Sequence, residues 1–188
     1  AYARWMSLRE RLADAVVADP APFREQAAAI ASAFDLPETD RRLAETDPES
    51  FDGPAALSAF ESLPVHARRL VWRLWLFDTA PVGLTLCGPA YEDTPLLYAT
   101  ATFRELTGYS MARLRGANPR LLQGPATESE PVATLREAVS IWEPRTVELT
   151  NYHADGTAFR NRVSLVPVPG ADGTVRNWVG IQRAVSGE

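Results

Sequence analysis

A chain of 188 residues is long enough for one substantial domain and a smaller companion, and too short for most multidomain enzymes. Its 19 basic side chains are all arginine, with no lysine, against 24 acids, and the resulting charge of -5 argues against a broad nucleic-acid footprint. A single cysteine excludes an intramolecular disulfide and a multi-cysteine metal site, and two scattered histidines disfavour a histidine metal centre. The first residues, with Arg4, Arg9 and Glu10, hold no signal-peptide core, and no run approaches the ~18 apolar residues that span a bilayer. The expectation is a cytoplasmic protein without membrane contact.

Up to residue 79, alanine, leucine and arginine recur at helical spacing. Trp5, Leu8, Leu12 and Val16 form one stripe, and Phe23, Ala27, Ile30 and Phe34 a second, opened by an Asp19-Pro20 cap. The polar stretch 36–53 holds at most a short helix, and another is predicted over 54–61. The helix over 64–77 is apolar nearly all round: His66, Arg69 and Arg73 leave a narrow polar stripe beside Leu70, Val71, Trp72, Leu74, Trp75, Leu76 and Phe77. It needs cover on several sides, from its own chain or from a second copy.

Beyond residue 79 the texture changes. Strands are predicted over 83–88 and 96–99, then a helix capped by Thr100 and ended by Gly108, and a helical turn from Ser110 to Gly116. Thr127 with Glu130 reads as a capping box for a helix whose inner stripe is Val132, Leu135, Val139 and Trp142. Strands over 145–152 and 157–166 flank the Asp155-Gly156 turn, and 174–184 is the closing strand.

The strand alternation carries its own anomaly. Val147, Leu149 and Asn151 share one face, as do Phe159, Asn161, Val163 and Leu165, and as do Trp178, Gly180 and Gln182. Each inward row contains a carboxamide, and a buried amide without partners costs about 1–3 kcal/mol. Either these amides pair with backbone at strand ends, or they address the edge of a planar heterocycle with alternating donors and acceptors. Arg120 and Arg136 flank the same region; they are solvated surface residues, or they converge on a phosphate.

The stretch Gly116-Ala-Asn118-Pro119-Arg120-Leu121-Leu122-Gln123-Gly124-Pro125 resembles the G-x-N-C-R-F-L-Q-G-P signature of LOV domains, the blue-light flavin sensors of the PAS superfamily. Asn151-Tyr152, Asp155-Gly156, Phe159 with Asn161, and Val179-Gly180-Ile181-Gln182 fall where that family has its matching motifs. The similarity covers roughly 80–184. It does not cover the N-terminal helices; it implies a five-stranded antiparallel sheet with helices on one face, which the α-helical region read from the spacing precedes, an α+β fold in all. The implied division is 1–63, a helical region of unknown role; 64–79, a linker helix packing on the sheet or on a dimer partner; and 80–186, the flavin-binding domain.

By the same resemblance, Asn118 and Gln123 contact the polar side of a flavin, and Arg120 and Arg136 hold its phosphate. Asn151 and Asn161 address the pyrimidine edge, and Leu122, Val132, Leu135, Leu149, Val163 and Leu165 pack the ring. Gln182 faces N5 and O4, while Thr85, Cys87, Trp178 and Gly180 lie on pocket-facing positions of their strands. No loop is inserted before the long helix, which favours FMN over FAD.

Pro119 stands where the family has its photoreactive cysteine. Proline offers neither a nucleophile nor a transferable proton, so the usual sulfur adduct cannot form there. The chemistry implied instead is photoreduction of the flavin to a radical, with Trp178, Tyr98, Tyr152 or Trp142 as donors. Gln182 would answer by rotating its amide and relay the change to the outward Val175, Val179 and Ile181, to the Trp72/Trp75 helix and to dimerisation. Cys87 reads as a buried inert hydrophobe, with electron donation or an unusual adduct as the other role. A dark redox or oxygen sensor using the same flavin, and a chromophore-free PAS interaction module, are the competing functions. No set of residues for enzymatic turnover is recognisable, and His66 and His153 read as surface residues.

Overall fold

The computed structural model describes residues 2–185. The chain divides after Ala80 into two compact units.

The first unit is helical: α1 (Tyr2–Val17), α2 (Pro20–Phe34), α3 (Pro37–Glu45) and α4 (Val65–Leu76). Trp5, Leu8, Leu12 and Val16 of α1 and Phe23, Ala27, Ile30 and Phe34 of α2 are buried, as their spacing predicted. Asp19 and Pro20 open α2, although the Asp19 side chain makes no capping bond. The helix expected over 54–61 is absent. Gly53 turns with φ +99°, successive bonds run from Leu57 N–H to the Pro54 carbonyl and from Phe60 N–H to the Leu57 carbonyl, and only a 3-10 turn at Phe60–Ser62 follows.

α4 belongs to this unit together with α1–α3. Its tryptophans are engaged here: Trp72 lies edge-on to Phe23 and donates its indole N–H to Thr46 Oγ1 at 3.0 Å, and Trp75 packs on Phe51 and under the Arg42 guanidinium. These contacts bury Trp72 and leave Trp75 half-buried.

Arginines join the four helices in a closed cycle. Arg73 of α4 donates to the Val16 and Ala18 carbonyls at the end of α1, at 2.9 and 2.7 Å. Arg4 of α1 donates to the Phe34 carbonyl ending α2, and Arg24 of α2 to the Leu43 carbonyl near the end of α3. Arg42 of α3 donates to the Trp75 carbonyl near the end of α4. Each guanidinium reaches carbonyls at or just past a helix C-terminus, the negative end of the helix dipole.

The second unit is built on a five-stranded antiparallel sheet in the order β2-β1-β5-β4-β3. Its strands are β1 (Gly83–Cys87), β2 (Leu96–Ala99), β3 (Arg145–Tyr152), β4 (Ala158–Pro169) and β5 (Val175–Ala184). Between β2 and β3 run α5 (Ala101–Thr107), α6 (Met111–Leu114), a 3-10 turn at Pro119–Leu122, and α7 (Ser129–Ile141). β4 outruns its predicted end because β3 has finished opposite Leu165, leaving an edge that accepts Pro167 and Pro169. The boundary expected at 186 lies outside the described residues.

Three local readings need correction. Thr100 is the N-cap residue of α5, but its side chain makes no capping bond; its hydroxyl accepts from Leu84 N–H at 2.9 Å and ties α5 to β1. The Thr127–Glu130 capping box does not form. Glu128 is the N-cap, its carboxylate accepts from Thr150 N–H at 2.7 Å, and Thr127 Oγ1 accepts from Gly124 N–H and donates to the Thr150 carbonyl. Segment 127–128 thus occupies the outer edge of β3, which would otherwise be unpaired. Trp142 is not on the inner stripe of α7; it ends the helix at φ +57° and is half exposed.

Candidate functional site

The inner face of the sheet is set by register. Thr85 and Cys87 of β1 oppose Gly180 and Trp178 of β5, Val163 and Leu165 of β4 oppose Gln182 and Gly180, and Leu149 of β3 opposes Asn161. Opposed residues share a face. These rows, the 3-10 turn and α7 enclose a cavity of about 340 Å³, within the range of small-molecule sites.

Seventeen of the eighteen residues named from the sequence line this cavity. Thr85, Cys87, Trp178, Gly180, Gln182, Val163, Leu165, Leu149 and Asn151 come from the sheet. Asn118, Pro119, Arg120, Leu122 and Gln123 come from the signature turn, and Val132, Leu135 and Arg136 from α7. Asn161 is the exception: it is buried between Asn151 and Gln182 instead of on the lining.

The three amides form one row. Asn161 Nδ2 donates to Asn151 Oδ1 at 2.9 Å and to Gln182 Oε1 at 2.8 Å, while among the described residues Asn161 Oδ1 accepts nothing. Whichever way the row is turned, one polar atom of Asn161 stays unmatched within the protein. Backbone pairing accounts for Asn151 Nδ2 alone, which donates to the Thr150 carbonyl at 3.3 Å; otherwise the three amides pair with one another. Gly180 permits the close approach of β1, since a Cβ there would lie 2.4 Å from Thr85 Oγ1.

The signature turn holds Pro119 at its first position, where a missing N–H costs nothing, with Asn118 as its cap. Cys87, the only cysteine, is buried in the wall, and burial pushes its thiol up to about 12, leaving it protonated and unreactive at neutral pH. Trp178 is fully buried, and its indole N–H has no acceptor.

At the mouth the arrangement departs from expectation. Arg120 is bidentate to the Asp93 carboxylate, one contact being 2.9 Å, instead of standing free for a phosphate. Asn118 directs Nδ2 to the Asp93 carbonyl and carboxylate and to Thr94 Oγ1, so its amide serves the β1–β2 loop. Asp93, Thr94, Ala90 and Val139 also line the cavity. Val139 was visible as part of the α7 stripe, whereas nothing in the periodicity pointed to the 90–94 loop. Of the other aromatic donors, Tyr98 pairs with Leu86 on the opposite face of the sheet, and Tyr152 packs on Gly124 outside the lining.

A sheet of this order, cupped by helices around a ligand-sized hollow, defines a sensory domain class. Residues 81–186 match the PAS domain model, and the chain belongs to the PAS family. Within it the second unit is a LOV domain. It is 34% identical to the light-state LOV domain of Aureochrome1, with a TM-score of 0.55 over 58% of this chain and 86% of that one. It is also 34% identical to the LOV domain of a blue-light activated histidine kinase of Erythrobacter litoralis, with a TM-score of 0.54 over 57% of this chain and 98% of that one. A blue-light photoreceptor of Listeria monocytogenes is 35% identical over 59% of this chain and 44% of its own length. The bacterioopsin transcriptional activator of Halobacterium salinarum is 33% identical over 174 residues, 93% of this chain and 24% of that protein. The matched region spans 44% of the photoreceptor and 24% of the activator, less than half of either curated relative.

Proposed function

We propose that the second unit binds a flavin, FMN in preference to FAD, and senses blue light without a cysteinyl adduct. The observation that carries this is the amide row Asn151–Asn161–Gln182, one partner short, in the wall of a hollow with Pro119 at the adduct position. A bound flavin would supply a strong one-electron oxidant on blue excitation.

Around it, the apolar side chains Leu122, Val132, Leu135, Leu149, Val163 and Leu165 would pack the ring and exclude water. Asn151 and Gln182 would present donors and acceptors to its polar edge, with Asn161 fixing both amides. Trp178, oxidisable and inside the cavity wall, is the donor we assign. Gln182 is the responsive residue: its Oε1 is held by Asn161 Nδ2, and rotation of its amide would present the acceptor Oε1 to the ligand in place of the donor Nε2 and break that bond. The consequence would spread along β5 as a packing change. On this reading the unit is a cytoplasmic sensory module with no turnover of its own. The likeness to a transcriptional activator over nearly the whole chain supports transcription as the output.

The test is an absorption spectrum before and after blue illumination. Structured blue absorption that bleaches reversibly, and a Gln182→Leu variant that keeps its flavin but loses the light-dependent change in proteolysis or association state, are expected. A preparation that stays colourless after incubation with FMN would overturn the reading.

A further inference from the structure

We propose that Asp93 is a specificity-determining residue for the tail of the ligand: by holding Arg120, it reduces what a terminal phosphate adds to flavin affinity. The inference rests on the flavin reading above and deepens it.

Arg120 and Arg136 are the two guanidiniums on the cavity lining, and they differ in state. Arg136 is exposed and, among the described residues, forms no ion pair. Arg120 meets Asp93 through both terminal nitrogens, the planar fork geometry that a phosphate would also use. The carboxylate is built in. Asp93 ends the 3-10 turn Ala90–Glu92 at φ +66°, is followed by Thr94 at φ +45°, and is gripped at its carbonyl and carboxylate by Asn118 Nδ2. Asn118 Oδ1 accepts from Arg120 N–H at 2.8 Å, so a single side chain fixes both partners.

Arg120 beside it holds the Asp93 carboxyl below the usual carboxylate range, so the pair is ionised at neutral pH. An incoming phosphate must therefore compete with a carboxylate for the Arg120 fork and accept a negative charge on the cavity rim. Both side chains are more than half exposed, so water screens the pair and weakens it. The competition is therefore modest and reversible, and its removal should show as a several-fold gain for FMN alone.

The experiment is titration of the flavin-free full chain with riboflavin and with FMN, followed by flavin fluorescence. Asp93→Asn suits the test because asparagine tolerates the left-handed backbone and keeps an acceptor for Asn118. FMN should tighten by about fivefold while riboflavin is unchanged, raising the FMN preference. In an Arg120→Gln background the same substitution should move the preference by less than twofold. Structural damage would weaken both ligands together, so the ratio separates the proposed role from a merely structural one. An unchanged ratio, with both flavins still bound, would overturn the assignment of Asp93 alone. Binding of neither flavin by the unaltered chain would overturn the flavin reading and this inference with it.

Discussion

Asn161 Nδ2 reaches Gln182 Oε1 at 2.8 Å, with both side chains buried. The same nitrogen holds Asn151, so β3, β4 and β5 are linked by side chains as well as by their ladders. Asn161→Ala would strand two buried carbonyl oxygens. A loss of about 2–4 kcal/mol in urea unfolding of the flavin-free chain is expected, together with weakened flavin retention. Full stability in the variant would mean that water replaces the row.

Gly180 opposes Thr85 across β1 and β5, and a methyl at 180 would sit 2.4 Å from Thr85 Oγ1. Thr85 is β-branched and stiff at χ1, so turning its hydroxyl aside carries its own cost. Gly180→Ala should cost about 1–3 kcal/mol and lower flavin occupancy. Adding Thr85→Ala should recover most of the loss, measured as the melting temperature of the double variant.

Pro119 starts a 3-10 turn at the cavity wall, where a side chain at that position faces the lining. Pro119→Cys should confer a slow, dark-recovering bleach of the blue band that neither the parent nor Pro119→Ser shows. Identical photocycles in all three would place position 119 too far from the ring.

Glu128 accepts the backbone N–H of Thr150 and pairs with Arg160, and these contacts lower its carboxyl from 4.5 to about 2, the Thr150 bond first among them. The folded value lies below the unfolded one, so the unfolded chain binds more protons in between. The contribution is complete above pH ~4.5 and disappears as pH falls towards 2. Glu128→Gln should flatten the acid side of the stability profile across that window. An unaltered slope would show that the contact is not maintained in solution.

How much of this was legible in the sequence depended on the signal available. Strand alternation placed Asn151, Asn161 and Gln182 on one face because a period of two leaves no freedom once the register is fixed. The signature turn was legible as a motif. The state of Arg120 was not, because its partner lies 27 residues earlier in a loop without periodicity. The Thr127–Glu130 box failed for a tertiary reason: the carboxylate at 128 found the open N–H of a strand edge, and the helix start followed it. Trp142 followed the α7 stripe in sequence, yet the helix had turned left-handed by then.

The circle of guanidiniums in the helical unit makes its four members mutually dependent. A shortened version beginning after Val17 would take away one of the two acceptors of Arg73, a side chain largely withdrawn from solvent, and with Arg4 the tie on the far end of α2. The damage would surface two helices away from the cut. Trimming from the front should therefore melt this unit wholesale instead of shortening it by one helix.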